Sequence, residues 1–507
     1  MRRPPYALLA VVLLLGAGVV ADRDPRETGA GAAPRLADVR PVDGALSVCP
    51  ELVKAGTDVV TRLTAGIGLP GDVTVRAAKL EPGVGLGQVV LTEGNRVGAL
   101  PLRSDANVSA VVTASGDMAG GLEVEQVSRG ADGIRRGWAG TRCEAPSAES
   151  WFVGAATTQG TDSQLVLVNP YDDPALVRVE LFGRSGLIDI PTLDGVVVKP
   201  RGREPIDLAQ LAPDEPLLAV HVTAREGRVA PAVRVQRQTG TTPLGVDWLP
   251  RMTTPSEAVD IPGVPGIAQG FRRLYVHAPG PDVVHLRVQL TFADEQIVPV
   301  GFDDVEVQPG KPALVDLTEV TQVVNQRTGE RTQKPAAVRV VSEGGPILAT
   351  MFAENRARFL PIREIAYVGP ATPIDGPTLV TEARVGPDMD CQILLSAPEG
   401  AARVRVTTVL RNGVQGEPES RIVAIPEGRL VAFRYQQLAK ADLVAVVVTP
   451  IAEDPPPIFA SRVIYEYGGR GPLFTAQALS TQPTAGYEVP FVGVDPGAAL
   501  PVRRPEE

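Results

Sequence analysis

Histidine and cysteine each occur only three times in 507 residues, which leaves little material for metal or thiol chemistry. His221 sits in an alternating segment, and His277 and His285 flank the turn at 278–282. Two imidazoles on adjacent strands could begin a metal site, but no third ligand follows at a fixed spacing. No G-x-S-x-G is present, so the sharp-turn nucleophile of the α/β-hydrolases is excluded. Gly66–Gly71 matches G-x-G-x-x-G by letters, yet Pro70 and the lack of a βαβ pattern make it a loop. The acidic pairs Asp172/Asp173, Asp303/Asp304 and Asp388/Asp390 lie in or near turns without the spacing of a calcium loop. Basic charge is also short, 49 residues against 59 acidic for a net charge of −10, which argues against nucleic acid as a partner. Only six of the basic residues are lysine, and with abundant Ala, Val, Gly and Pro this points to a GC-rich genome. No cofactor is expected, and the chain reads as a non-enzyme.

Long apolar runs are almost absent. The exception is Ala7–Val20, behind the basic Arg2 and Arg3. Its fourteen residues are short of the roughly 20 that a membrane span needs, and suit the apolar core of an export signal. Residues 1–21 are therefore expected to be a signal peptide, cleaved after Ala21, or a retained N-terminal membrane anchor. Residues 22–38, rich in Gly, Ala, Arg and Pro, read as a flexible spacer. The chain would then work outside the cytoplasmic membrane, anchored to it or, if cleaved, secreted.

What is plentiful is short β-strand. In Trp151–Gln238, Val177, Val179 and Leu181 alternate with Arg178 and Glu180, the period-2 pattern of a strand with one buried face. Leu165–Val168 is an apolar run stopped at Asn169-Pro170, because proline cannot donate to a ladder. Gly183–Gly186, Pro200–Gly202 and Arg225–Gly227 carry turn chemistry. Six or seven short strands at this spacing predict a β-sandwich.

The unit recurs. The strand-ending proline is Pro170, Pro279 and Pro398, with Pro50 as an earlier counterpart, giving steps of 120, 109 and 119. Asp207-Leu208 and Asp316-Leu317 open the same short motif 109 residues apart. Gln126, Gln236 and Asn355 are each followed twelve residues later by an aromatic: Trp138, Trp248 and Tyr367. The fold is read as all-β, with about four tandem immunoglobulin-like sandwiches of roughly 110 residues, arranged as an extended rod. The expected boundaries are 39–146 for a divergent first copy, then 147–250, 260–368 and 375–490, with a disordered tail at 491–507. Within the first copy, Glu51–Thr64 reads as a helical insertion. Residues 321–335 read as a loop or extended hairpin.

Cys49 and Cys143 are the natural disulfide pair in an oxidising compartment. Cys391 is then the odd one, placed in the core of the fourth copy. Trp138, Trp151 and Trp248 are the candidate ligand-contacting aromatics. Their recurrence at a common register equally suits core or inter-domain packing.

Trp151, Phe152 and Gly154, the D-x-x-L-x-L-x-N-P of Asp162–Pro170, the V-x-V-x-L-F-G of Val177–Gly183 and the A-V-R-V-x-R of Ala232–Arg237 look like a repeat of bacterial surface proteins. With the N-terminal segment and Cys49-Pro50, residues 1–490 resemble the actinobacterial exported proteins of domain-of-unknown-function family 5719. That resemblance implies an extracytoplasmic, membrane-anchored protein and supplies no activity. The expected role is a non-enzymatic spacer or scaffold that engages envelope or membrane proteins. A cell-wall glycan-binding protein is the alternative, and an envelope hydrolase stands third.

Overall fold

The computed structural model describes residues 38–489, apart from 41, 53–56, 65–72, 82, 92–95, 100–107, 118, 131–132, 267–268, 325, 328, 330, 358–359, 382–387, 412–416, 436–444, 453, 469–470 and 482–486. The chain is all-β, built of antiparallel sheets that pair into sandwiches. The strand Ala175–Gly183 shows why: every second side chain is buried along its whole length, with Val177, Val179 and Leu181 inside. The stop at Asn169-Pro170 works through the asparagine. Its buried side chain donates to the Asp173 and Val198 carbonyls at 2.7 and 3.2 Å and accepts from Tyr171 N at 3.0 Å.

In the second sandwich, one sheet runs in the order Glu149–Ala155, Leu218–Glu226, Ala175–Gly183, Gly186–Ile188, with Val196–Val198 also on Ala175–Gly183. The other runs Gly202–Asp207, Thr161–Asn169, Ala230–Thr239, Thr242–Trp248. The same two orders recur among the strands of 44–142, 258–368 and 378–478. Asp207 caps the single helical turn Leu208–Leu211 by accepting from Ala209 N at 2.9 Å. Asp316 does the same for Thr318 N, also at 2.9 Å.

Three expectations change. Pro50 lies on Gly44–Leu52, which is the first strand of its sandwich, whereas Pro170 ends the second. The counterpart of Thr161–Asn169 in the first sandwich is Thr57–Thr64, so the 120-residue step joined unlike strands. The same strands replace the expected helix over 51–64: residues 51–52 finish one strand and 57–64 form the next. Finally, the sandwiches do not form a rod, because Val42–Ala485 is one compact unit.

Within that unit the sandwiches close a ring, the first sheet of each of the first three facing the second sheet of the next. Val48 of the first packs on Val166, Val168 and Ala230 of the second. Trp151 and Val153 of the second share a core with Phe352, Ile365 and Tyr367 of the third. Gly263 of the third lies close against Leu394 of the fourth, and its carbonyl accepts from Ser461 Oγ at 2.9 Å. The fourth returns to the first by strand pairing, with Leu410 and Arg411 parallel to Arg96 and Val97. Gly154, at φ +127°, permits one close approach: a side chain there would press on Leu249, Tyr275 and Tyr367.

A separate small unit pairs Asp38–Arg40 with Tyr487–Val489 antiparallel, Val39 opposite Glu488. The expected signal or anchor at 1–21, most of the spacer, and the tail at 491–507 lie outside the described residues. Residues 322–324 and 331–333 form the hairpin expected in the third sandwich.

Candidate functional site

Each sandwich ends in a closing strand at the edge of its second sheet: Gly137–Arg142, Thr242–Trp248, Arg363–Val368 and Gly471–Ala478. The first packs on the second, the second on the third, the third on the fourth and the fourth on the first. An edge strand carries unpaired amides that need partners once buried. Two buried carboxylates supply them. Asp247 accepts from Gly140 N at 3.1 Å and Tyr367 N at 2.9 Å, so one side chain ties three sandwiches together. Glu364 accepts from Trp138 N at 3.1 Å and Val246 N at 3.3 Å. Burial pushes both carboxyl groups well above the usual range, and the backbone donors pull them partly back. Arg462 pairs with Glu125, and Arg129 with Glu466, across the fourth-to-first junction.

The three tryptophans belong to this internal bracing. Trp138, Trp151 and Trp248 are 1, 5 and 2% exposed, so all three are buried in the folded chain. Trp138 Nε1 donates to Glu466 at 2.8 Å, and Trp151 Nε1 to Glu149 at 3.1 Å. Trp151 also stacks on His221, with ring centroids 3.6 Å apart and planes 8° apart, and lies 5.6 Å from His277. His221 is held between Glu180 and Glu149 at 3.0 Å each. His277 is fully buried, neither ring nitrogen has a partner among the described residues, and burial, then His221, lowers its pKa to about 4. Cys49 and Cys143 form the expected disulfide, and Cys391 is buried on Met389–Ala397. Among the acidic pairs, Asp172 binds Arg201 at 2.5 Å and Asp304 binds His285 at 2.7 Å. Among the described residues no three His, Cys, Asp or Glu side chains gather as a metal site.

The open space lies elsewhere. A pit is lined by residues of all four sandwiches, Gly140, Trp248, Tyr367 and Gln477 among them. Arg251, Pro370 and Ser480 form a wall shared with a groove between the third and fourth sandwiches. Inside that groove Arg339 pairs with Glu399 and lies 3.8 Å from Asp260. Burial raises the Asp260 pKa to about 6, with Arg339 opposing and Glu399 adding to the shift. Residue types did not single out Asp260, Arg339 or Glu399. The internal step did hold the signal, since 109 residues after Trp151 comes Asp260.

A model of the family of unknown function DUF5719 matches residues 99–435. The chain belongs to that family. The DUF5719 match spans the second and third sandwiches entire, including Asp260, Arg339 and Glu399. No curated protein matches. Among solved structures, the Streptomyces avermitilis alpha-L-rhamnosidase complexed with L-rhamnose is similar at 11% identity, over 85% of this chain and 57% of that one, with a TM-score of 0.12. The DUF5719 chain thus spans a little over half of that enzyme's length, at a similarity too low to carry an argument.

Proposed function

We propose that this protein is a non-enzymatic, extracytoplasmic envelope scaffold of an actinobacterium that presents binding surfaces to envelope or membrane proteins. It is held at the cytoplasmic membrane by its N-terminal segment, or secreted if cleaved after Ala21. The observation that carries the reading is the cross-braced ring. Asp247 and Glu364 are buried carboxyl groups whose backbone hydrogen bonds fix three sandwiches in one arrangement, as suits a platform whose surfaces must keep their relative positions. The Cys49–Cys143 disulfide is consistent with an oxidising compartment. A compact ring supports a scaffold better than a spacer. The two carboxylates of the groove share one guanidinium, an arrangement that suits holding a ligand better than flanking a scissile bond from two sides.

The test is in-cell cross-linking of a C-terminally tagged chain, followed by mass spectrometry. The reading expects one or two envelope or membrane proteins, lost when surface residues of a single sandwich are changed. Capture of cytosolic proteins alone, or turnover of p-nitrophenyl glycosides by the purified chain, contradicts it.

A further inference from the structure

The first strand of each sandwich carries one residue at an equivalent register position. In the second sandwich it is Trp151, paired with His221, which pairs with Glu180. In the third it is Asp260, paired with Arg339, which pairs with Gln289. The steps Trp151 to Asp260 and Glu180 to Gln289 are both 109 residues. In the first sandwich the position is Val48, beside Val111 and Ala78. In the fourth it is Leu379, beside Val447 and Thr407. Backbone bonds support the equivalence: Val48 and Trp151 bridge to Glu144 and Met252 in the following linkers, and the Asp260 carbonyl accepts from Ala371 N at 2.9 Å.

At two other junctions this position is filled. Val48 packs into an apolar cluster with Val166, Val168 and Ala230 of the second sandwich, and the Trp151 indole stacks on His221 and lies beside His277 of the third. In the third sandwich the filler is absent and an acid and an arginine stand in its place, at the groove between the third and fourth sandwiches.

We infer that this groove is a carbohydrate-binding site that receives a pyranose ring where Trp151 sits one junction earlier. Its chemistry matches a neutral, hydroxyl-rich ring. Asp260 and Glu399 supply acceptors and Arg339 supplies donors, so charge of both signs converges without a strong net field. Thr254, Ser256 and Thr372 add hydroxyls to the lining, and the half-buried Pro457 gives apolar surface for the C–H face of a sugar. A simple cation would meet Arg339 at the centre, and a simple anion would meet two carboxylates. An extended peptide would need a free strand edge. The edge of Ala258–Val264 is engaged at Asp260 by Ala371, and Ser256 just before it is bridged to Ile347. The inference stands apart from the scaffold reading, which holds whether or not the groove is filled.

The test is saturation-transfer NMR on the full chain with four methyl pyranosides: glucoside, galactoside, mannoside and N-acetylglucosaminide. At least one gives transfer from its ring protons at millimolar concentration. Asp260→Trp, which carries the Trp151 filler into the groove, abolishes the transfer while the chain still melts cooperatively. Glu399 is half-exposed, so Glu399→Gln leaves folding intact and weakens binding at least about threefold, the loss of one charge-assisted hydrogen bond. No transfer from any of the four, or transfer unchanged by Glu399→Gln, overturns the inference. So does transfer that survives a folded Asp260→Trp chain.

Discussion

The second-to-third and third-to-fourth junctions carry the same position of the repeat, yet in one it is filled by an indole and in the other it borders a groove. At the closed junction Trp151 lies between His221 and His277 and shares its core with Phe352 and Tyr367. At the open one Asp260, Arg339 and Glu399 hold one another in a groove. The contrast separates two uses of a repeated position. Where it carries apolar bulk it joins sandwiches, and where it carries charge it leaves room for something else.

The largest difference should appear on truncation. Trp151→Ala removes a buried indole and should cost about 3–5 kcal/mol in urea unfolding. A loss below 1 kcal/mol would mean the junction is not held there. Asp247→Ala comes next. It strands the buried Gly140 and Tyr367 amides, at about 2–4 kcal/mol by the same assay. Full retention of stability would show that water reaches those amides.

The two junctions should also respond to pH with opposite sign. Burial lowers the His277 pKa from 6.5 to about 4, so the folded chain resists a proton that the unfolded chain takes up. That contribution is intact above pH 6.5 and is lost as pH falls toward 4, by up to about 3 kcal/mol. A His277→Phe chain should gain on the wild type over that window. Asp260 behaves in reverse. Its pKa rises from 3.8 to about 6, so its contribution is present below pH 3.8 and is lost as pH rises through 6. The wild type should therefore lose about 2 kcal/mol against Asp260→Asn between pH 4 and 6. Parallel pH curves for either pair would contradict the assignment.

The sandwich was legible in the sequence because period-2 alternation and turn residues act locally. Ala175–Gly183 and the Asn169-Pro170 stop could be read from neighbours alone. The disulfide was legible because only three cysteines compete for pairing. The ring was not, since it depends on contacts such as Asp247 to Tyr367, across 120 residues, that no local pattern encodes. For the same reason the tryptophans stood out as candidate ligand contacts, whereas in the structure they brace the junctions. The groove escaped notice because an aspartate and an arginine in alternating strands look like solvent-facing residues. Only the 109-residue step marks Asp260 as standing where Trp151 stood.

Calorimetry of the full chain tests the closed ring most directly. If the sandwiches brace one another around the ring, residues 42–485 should melt in a single transition whose calorimetric and van't Hoff enthalpies agree. Several resolved transitions, each the size of one sandwich of roughly 110 residues, would return the chain to a string of independent domains and contradict the ring.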